Sequence, residues 1–211
     1  MIFGVVAVVA LMGIVFFGWY RPWQLKWGAT TDEVSAAMIG DDVVVGPTFN
    51  ATRAITVDAP PDAVWPWLVQ IGFGRAGWYS YDVLDNLGRH SSETLVPELQ
   101  HVEVGDLVPL GPGKDAGMRV KDFDHARHII WWDAKLGLTT WTWTLTQLPE
   151  GSTRLVTRIR SRASWRHPST LVWIPLYELA DFPMIRKCLL GIKRRAEHLV
   201  QEQSTKNLTP A

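Results

Sequence analysis

The chain has 211 residues, of which 47% are hydrophobic, so it can form one ordinary domain with a sizeable core and a small additional segment. Its formal net charge is zero, which argues against general nucleic-acid binding because that function usually shows as a basic excess. The single cysteine, Cys188, excludes an internal disulfide framework, and the spacing of potential ligands fits no metal site.

The first element is an uncharged apolar run from Ile2 to Tyr20, which is long enough to cross a bilayer as a helix. A signal peptide is the competing interpretation, but the run has no positive n-region and no clear cleavage site. Arg21 and Lys26 follow the run, so the positive-inside rule places the downstream domain on the cytoplasmic side. We therefore predict a single-pass membrane anchor with an interfacial aromatic segment in residues 1–27.

The aromatic content supports a membrane contact, a large aromatic-lined cavity, or both. The chain has twelve tryptophans. Aromatic residues that suit a membrane–water boundary close the apolar run, namely Trp19, Tyr20, Trp23 and Trp27.

A tether joins the predicted anchor to one compact domain. Residues 28–50 contain a short helix, which Thr30 or Thr31 could cap, and an acidic, glycine-containing loop. The domain spans residues 51–203, and the polar residues 204–211 are predicted to form a disordered tail.

Two helices are predicted near the start of the domain. A short strand at 54–58 precedes the first helix, which covers 63–71. The second helix has Ser80 as its N-cap and Gly88 as its stop. Its apolar stripe is predicted to consist of Val83, Leu84 and Leu87.

The middle of the domain changes to the period of β-strands. Five strands are predicted, at 106–110, 118–123, 128–133, 139–148 and 153–162. In the clearest one, Trp141, Trp143 and Leu145 alternate with threonines, which is typical of a strand with one buried face. The last strand alternates between an arginine face, predicted to be the solvated outer face, and a face that looks toward the final helix, consisting of Leu155, Thr157, Ile159 and Ser161.

The longest amphipathic element is the final helix, predicted from Ala180 to Gln203. Asp181 is its predicted N-cap, with Pro183 in the first turn. The preceding residues, Leu171 to Leu179, are apolar almost all round and could be core or contact the membrane. We expect a curved sheet that wraps around this helix.

Two stretches carry a resemblance to a known superfamily: ITVDAPPDAVWPWLVQIGFGRAGWYSYDVLDNLG at 55–88 and DFPMIRKCLLGIKRRAE at 181–197. They resemble the SRPBCC/START-like superfamily of polyketide cyclase/dehydrase and lipid-transport proteins, and within it a bacterial, often membrane-anchored subgroup. The resemblance implies an α+β helix-grip fold, a curved antiparallel sheet around a long C-terminal helix, here preceded by the predicted transmembrane helix. It also implies a deep apolar cavity, used across the superfamily for lipids, sterols and polyketides.

The candidate ligand-binding residues would line that cavity. The sheet would contribute Trp141, Trp143, Leu145, Leu155, Thr157 and Ile159, and the helical side Trp78, Tyr79, Tyr81, Ile185 and Leu189. The alternative is that these residues fill a solid core. Arg75 and Asp82 flank the aromatic residues and could close one end of the cavity or form an ion pair that fixes the loop.

The sequence favours a membrane-anchored binding protein for a lipid, isoprenoid-like or polyketide-like molecule, without a cofactor. A cyclase- or dehydratase-like enzyme is the alternative, with Asp82, His128 and Arg119 as candidates for proton transfer. Catalysis is less favoured because no nucleophile elbow, metal motif or phosphate-binding loop is present. A membrane-tethered partner-binding module is a second alternative, whose sign would be an exposed apolar patch at 171–179. The expected partners are the hydrophobic ligand and the bilayer, not nucleic acid.

Overall fold

The computed structural model describes residues 11–162 and 170–208, which form a six-stranded antiparallel sheet with a long C-terminal helix packed on one face. This is the predicted α+β helix-grip architecture. The helices are α1 (Arg21–Gln24), α2 (Thr31–Ser35), α3 (Pro61–Val69), α4 (Asp82–Asp85) and α5 (Thr170–Leu208). The strands are β1 (Phe49–Val57), β2 (Leu107–Pro109), β3 (Gly117–Asp124), β4 (His128–Trp132), β5 (Thr139–Gln147) and β6 (Thr153–Ser161).

The sheet has the order β1-β6-β5-β4-β3-β2, so β2 to β6 form a meander and β1 joins at the far edge. The alternation along β5 and β6 decides which side chains face the helix. Trp143, Leu145 and Leu155 are almost fully buried in the core, as the period-two pattern predicted. Trp141 pairs with Ile159 across the two strands, and Trp143 pairs with Thr157.

Helix α5 begins at Thr170, ten residues before its predicted start at Ala180, and continues to Leu208. Asp181 is therefore not an N-cap; it lies within the helix and pairs with Arg53 of β1. The predicted apolar stripe is confirmed, because one face is buried against α3 and the sheet, including Ile185, Cys188, Leu189, Ile192 and Ala196. Leu176 and Leu179, at the end of the apolar segment before the predicted start, are exposed.

Helix α5 passes close to the backbone of Tyr79 at Gly191. A Cβ atom at this position would lie 2.5 Å from the backbone oxygen of Tyr79. Tyr79 itself has a φ of 56°, in the left-handed region.

We expect Gly191→Ala to lower the free energy of unfolding by about 2 kcal/mol, because the overlap costs more than the roughly 1 kcal/mol that alanine gains in helix propensity. Urea unfolding measures the difference. Gly111→Ala is the control, since no atom lies within 4 Å of its Cβ position. A Gly191→Ala protein as stable as Gly111→Ala contradicts the close approach.

The predicted helix between Ser80 and Gly88 is wrong in its extent. Helix α4 is a single turn, and its predicted stripe is exposed, with Val83 at 77% and Leu87 at 69%. The helix ends before a second turn can form a continuous apolar face, because Asn86 leaves the helical region with a φ of −140° and Leu87 follows with a φ of 51°.

The arginine face of β6 is not solvated, contrary to the prediction. Arg154 pairs with Glu33, and Arg158 and Arg160 both pair with Asp41. The segment 28–44 therefore lies across the outer face of the sheet rather than hanging free. The solvated face was predicted from the alternating arginines of β6 alone. In the structure, acidic side chains and backbone carbonyls of the segment 28–44 cover these arginines.

The N-terminal segment also packs on the domain. Residues 11–15 are helical, Phe16–Tyr20 form a π-helical turn, and the side chains of Tyr20, Trp23 and Trp27 surround Phe182 of α5. Arg21 forms a bidentate pair with the buried Glu178. Residues 1–10 of the predicted anchor lie outside the described residues, and among those described no helix is both long and apolar enough to cross a membrane.

Candidate ligand-binding site

A cavity of about 550 Å³ lies between the sheet and the first half of α5. Aromatic and aliphatic side chains make up most of its wall, including Trp78, Trp141, Ile159, Tyr177, Met184 and Ile185. The mouth has an apolar rim, because Leu84 and Leu110 both line the cavity and are exposed. A volume of this size is typical of small-molecule sites.

The aromatic wall is held rigidly by its own contacts. The rings of Trp78 and Trp141 are stacked, with centroids 5.6 Å apart and planes only 1° from parallel. Trp131 meets both of them edge-on from behind. Trp141 Nε1 donates a hydrogen bond to Thr157 Oγ1 at 2.8 Å, which fixes the orientation of the indole ring. A flat or apolar ligand would therefore meet a preformed surface.

Two buried polar groups interrupt this apolar lining. Asp85 is only 8% exposed, and within the described part of the chain neither carboxylate oxygen has a hydrogen-bond partner. The Ser80 hydroxyl, also buried and lining the cavity, has no partner there either. A buried polar atom without a hydrogen-bond partner lowers the stability of a folded protein. Asp85 and Ser80 therefore mark the place in the cavity where a polar group of a ligand would bind.

Burial raises the pKa of the Asp85 carboxyl above its ordinary value, and the charge of Asp82 adds to the effect. The Ser80 hydroxyl and the backbone N–H groups of Tyr81 and Asp85 offset part of this pKa shift, without reaching hydrogen-bond geometry with the carboxylate oxygens. On the opposite side, the charge of Asp85 contributes to the raised pKa of the buried Cys188 thiol, whose main cause is burial itself. The cavity therefore disfavours negative charge.

Asp85→Asn is expected to stabilise the empty protein at neutral pH and above. Because the folded pKa lies above the unfolded one, the contribution of Asp85 to stability is full below about pH 4 and is lost as the pH rises through the folded pKa. The variant removes this loss and should raise Tm by roughly 2–4 °C near pH 8. Thermal scans from about pH 4 to about pH 8 test this, since a constant difference between the two proteins contradicts it.

Four of the thirteen predicted site residues line the cavity: Trp78, Trp141, Ile159 and Ile185. Four others lie in the solid core behind the cavity wall, namely Trp143, Leu145, Leu155 and Leu189. Thr157 is buried between Trp141, from which it accepts a hydrogen bond, and the backbone oxygen of Thr142, to which it donates one. The cavity and core interpretations therefore each describe part of the set.

The remaining four predicted residues lie outside the cavity wall. Tyr79 and Asp82 line a smaller, more polar pocket of about 330 Å³ beside α5. Tyr81 is half exposed, with the Lys187 ammonium over its ring. Arg75 and Asp82 do not pair: Arg75 donates to backbone oxygens of β2 and of α3, and Asp82 accepts from Ser91.

The residues proposed for proton transfer are not placed in the cavity wall. His128 pairs with Asp122 at 3.0 Å, and Arg119 bonds to Gly105 and Asp115. Asp85 was not among the predicted site residues, because an aspartate inside a short predicted helix and off its apolar stripe is typical of a solvated position. The sequence did contain one indication, because Asp85 lies close along the chain to Trp78 and Tyr81, which were both predicted to line the cavity.

Comparisons with known proteins assign no substrate to this chain. No protein-family model and no curated protein sequence matches the chain. The chain is similar to the solved structure of a polyketide-cyclase-like protein from Corynebacterium glutamicum, with 16% identity over 72% of this chain and 94% of that chain, at a TM-score of 0.44. The chain is also similar to the solution structure of the KanY protein, with 16% identity over 72% of this chain and 99% of that chain, at a TM-score of 0.45.

A protein from Chromobacterium violaceum gives 14% identity over 70% of this chain and 96% of that chain, at a TM-score of 0.39. The sheet and α5 form the helix-grip architecture that the resemblance to the SRPBCC superfamily implies. Because identities at this level assign no substrate, the function has to be inferred from the chain's own residues.

Proposed function

We propose that this chain binds a hydrophobic small molecule, of lipid, isoprenoid-like or polyketide-like character, in the cavity between the sheet and α5. The observation that supports this most strongly is the cavity itself, about 550 Å³ in volume, with a rigid tryptophan wall and one buried polar point. Sites for small ligands combine these features: a largely apolar lining and a few placed polar groups.

We further propose that the protein works beside a bilayer, which its N-terminal segment enters. The support is the uncharged run from Ile2 to Tyr20 and the exposed apolar side chains on its described part, Leu11, Met12, Ile14, Val15, Phe17 and Trp19. The ion pair of Arg21 with Glu178 joins this segment to the same half of α5 that lines the cavity. The positive-inside rule places the domain on the cytoplasmic side.

Catalysis on the same kind of ligand is a second candidate, because of Asp85. A carboxyl group whose pKa is raised by burial inside a cavity is a candidate for the proton transfer that a cyclase- or dehydratase-like reaction requires. Turnover of a bound molecule that stops in Asp85→Asn while binding persists would distinguish an enzyme from a carrier.

Native mass spectrometry with organic extraction tests the proposed function on the full chain, purified in mild detergent. We expect the extract to contain about one hydrophobic molecule per protein chain. Ala180→Trp should reduce its retention, because Ala180 is an exposed residue of the cavity wall and the indole would obstruct the mouth. The matched control is Gln201→Trp, which adds the same side chain to an exposed position of the same helix.

Equal amounts of ligand in wild type and Ala180→Trp would contradict binding in this cavity. A clean wild-type protein that also takes up no lipid or aromatic polyketide would contradict the carrier function altogether. In that case the exposed apolar residues of α5, Leu176, Tyr177 and Leu179, would become the place to look for a protein partner.

A further inference from the structure

The charged side chains that line the cavity are all acidic. Three aspartates line it, and no described lysine, arginine or histidine does. Two of the three already have partners: Arg53 pairs with Asp181 at 2.7 Å, and two backbone N–H groups of the β4–β5 turn donate to Asp133. Asp85 is the third: no described cation pairs with it, and the nearby Ser80 hydroxyl and the backbone N–H groups of Tyr81 and Asp85 do not reach hydrogen-bond geometry with its oxygens.

We propose that the ligand is a hydrophobic molecule with a cationic amine at one end, and that its ammonium group binds Asp85 beside the Ser80 hydroxyl. This inference rests on the proposed binding function and names the ligand class. An ammonium group donates charge-assisted hydrogen bonds, so it would satisfy oxygens that are otherwise buried without partners. An anionic ligand would be repelled by Asp85, and a neutral donor would form weaker hydrogen bonds with it.

The aromatic wall suits the same ligand. Tyr177 and the stacked pair of Trp78 and Trp141 line the cavity that contains Asp85. The faces of indole and phenol rings attract cations and also pack against apolar groups. One end of an amine would therefore meet a carboxylate, while its apolar body would lie against the tryptophans.

Three probes that share one apolar cage and differ in the polar group test this: adamantylamine, adamantanol and adamantane carboxylate. Binding to the full chain in mild detergent is followed by tryptophan fluorescence and by calorimetry. We expect the amine to bind about 10- to 100-fold more tightly than the alcohol, the range that a charge-assisted hydrogen bond contributes. The carboxylate should bind most weakly.

Two variants assign the preference to Asp85. Asp85→Asn keeps the shape of the side chain and removes its charge, so it should abolish the preference for the amine while leaving alcohol binding within about threefold. Asp124→Asn is the matched control, because Asp124 is exposed and pairs with Arg127 on the surface, and it should bind like wild type. Thermal unfolding confirms that both variants are folded.

Each outcome decides the inference. Equal or tighter binding of the alcohol or the carboxylate to wild type overturns the amine preference and leaves hydrophobic binding intact. A preference for the amine that persists in Asp85→Asn overturns the role of Asp85. Failure of all three probes to bind wild type contradicts both this inference and the proposed function, since the cage is smaller than the cavity.

Discussion

Replacing Arg53 by alanine is expected to lower the free energy of unfolding by about 3–5 kcal/mol, the range for breaking a buried ion pair. Arg53 is 1% exposed on β1. Its guanidinium donates to the backbone oxygen and the side chain of Gln24 and to Asp181 at 2.7 Å. Without it, the buried Gln24 and the carboxylate of Asp181 lose their partner, and each unpaired group costs free energy.

Thermal and urea unfolding measure this loss, which corresponds to a Tm lower by roughly 10 °C in a domain of this size. Arg127→Ala is the control, because its ion pair with Asp124 is on the surface and should contribute little. A double-mutant cycle with Asp181→Asn separates the pair from the rest of the network. A loss in Arg53→Ala no larger than in Arg127→Ala would contradict the buried network.

The network has a consequence for the cavity. Asp181 lines the cavity, and Arg53 neutralises it from the side of β1. Because Gln24 also bonds to Glu178, the same arginine connects the N-terminal segment to the half of α5 that forms the cavity wall. One buried side chain therefore contacts both the N-terminal segment and an aspartate of the cavity wall.

Much of this fold could be predicted from the sequence where one local pattern decides the structure. The threonine–tryptophan alternation of β5 predicted the strand and the burial of Trp143 and Leu145, and the apolar stripe around Leu189 predicted the packed face of α5. The alternation did not predict that Thr140 and Thr142, on the other face of β5, are buried as well. The start of α5 could not be predicted in this way. Asp181 and Pro183 have the local features of a helix start, but the helix continues through both, and the Asp181 carboxylate pairs with Arg53 instead of capping the helix.

The site was less predictable because its important features depend on residues that are distant in sequence. Trp143 and Trp141 share a strand face, yet only Trp141 reaches the cavity, since Trp131 and the core enclose Trp143. Asp85 is buried only because α5 and the aromatic wall close around a short helix whose own apolar residues, such as Leu84, remain exposed. The hydrophobic periodicity of the chain therefore does not predict that the aspartate of this helix is buried while its leucine is exposed.

Replacing Arg158 by alanine is expected to lower the free energy of unfolding by about 3 kcal/mol. We expect the structural change to be confined to the segment 28–44. The side chain is 3% exposed on the outer face of β6. Its Nε donates to Thr52, and its two terminal nitrogens donate to Asp41 and to the backbone oxygens of Glu33, Val34 and Ala36. Every donor of this guanidinium holds the segment 28–44 or β1.

Hydrogen exchange distinguishes local from global loss in Arg158→Ala. We expect amides of residues 30–44 to exchange faster, while those of the β5–β6 hairpin keep their relative protection. Arg162→Ala is the control, because Arg162 follows the same strand and is exposed.

The expected loss lies at the lower end of the range for a buried ion pair, because Asp41 keeps its second partner, Arg160, at 3.0 Å. Unchanged exchange at residues 30–44 would mean that Arg154 and Arg160 hold the segment without Arg158. Faster exchange confined to these residues would instead establish that the arginine face of the sheet is an internal interface, which fixes the path of the chain between the N-terminal segment and β1.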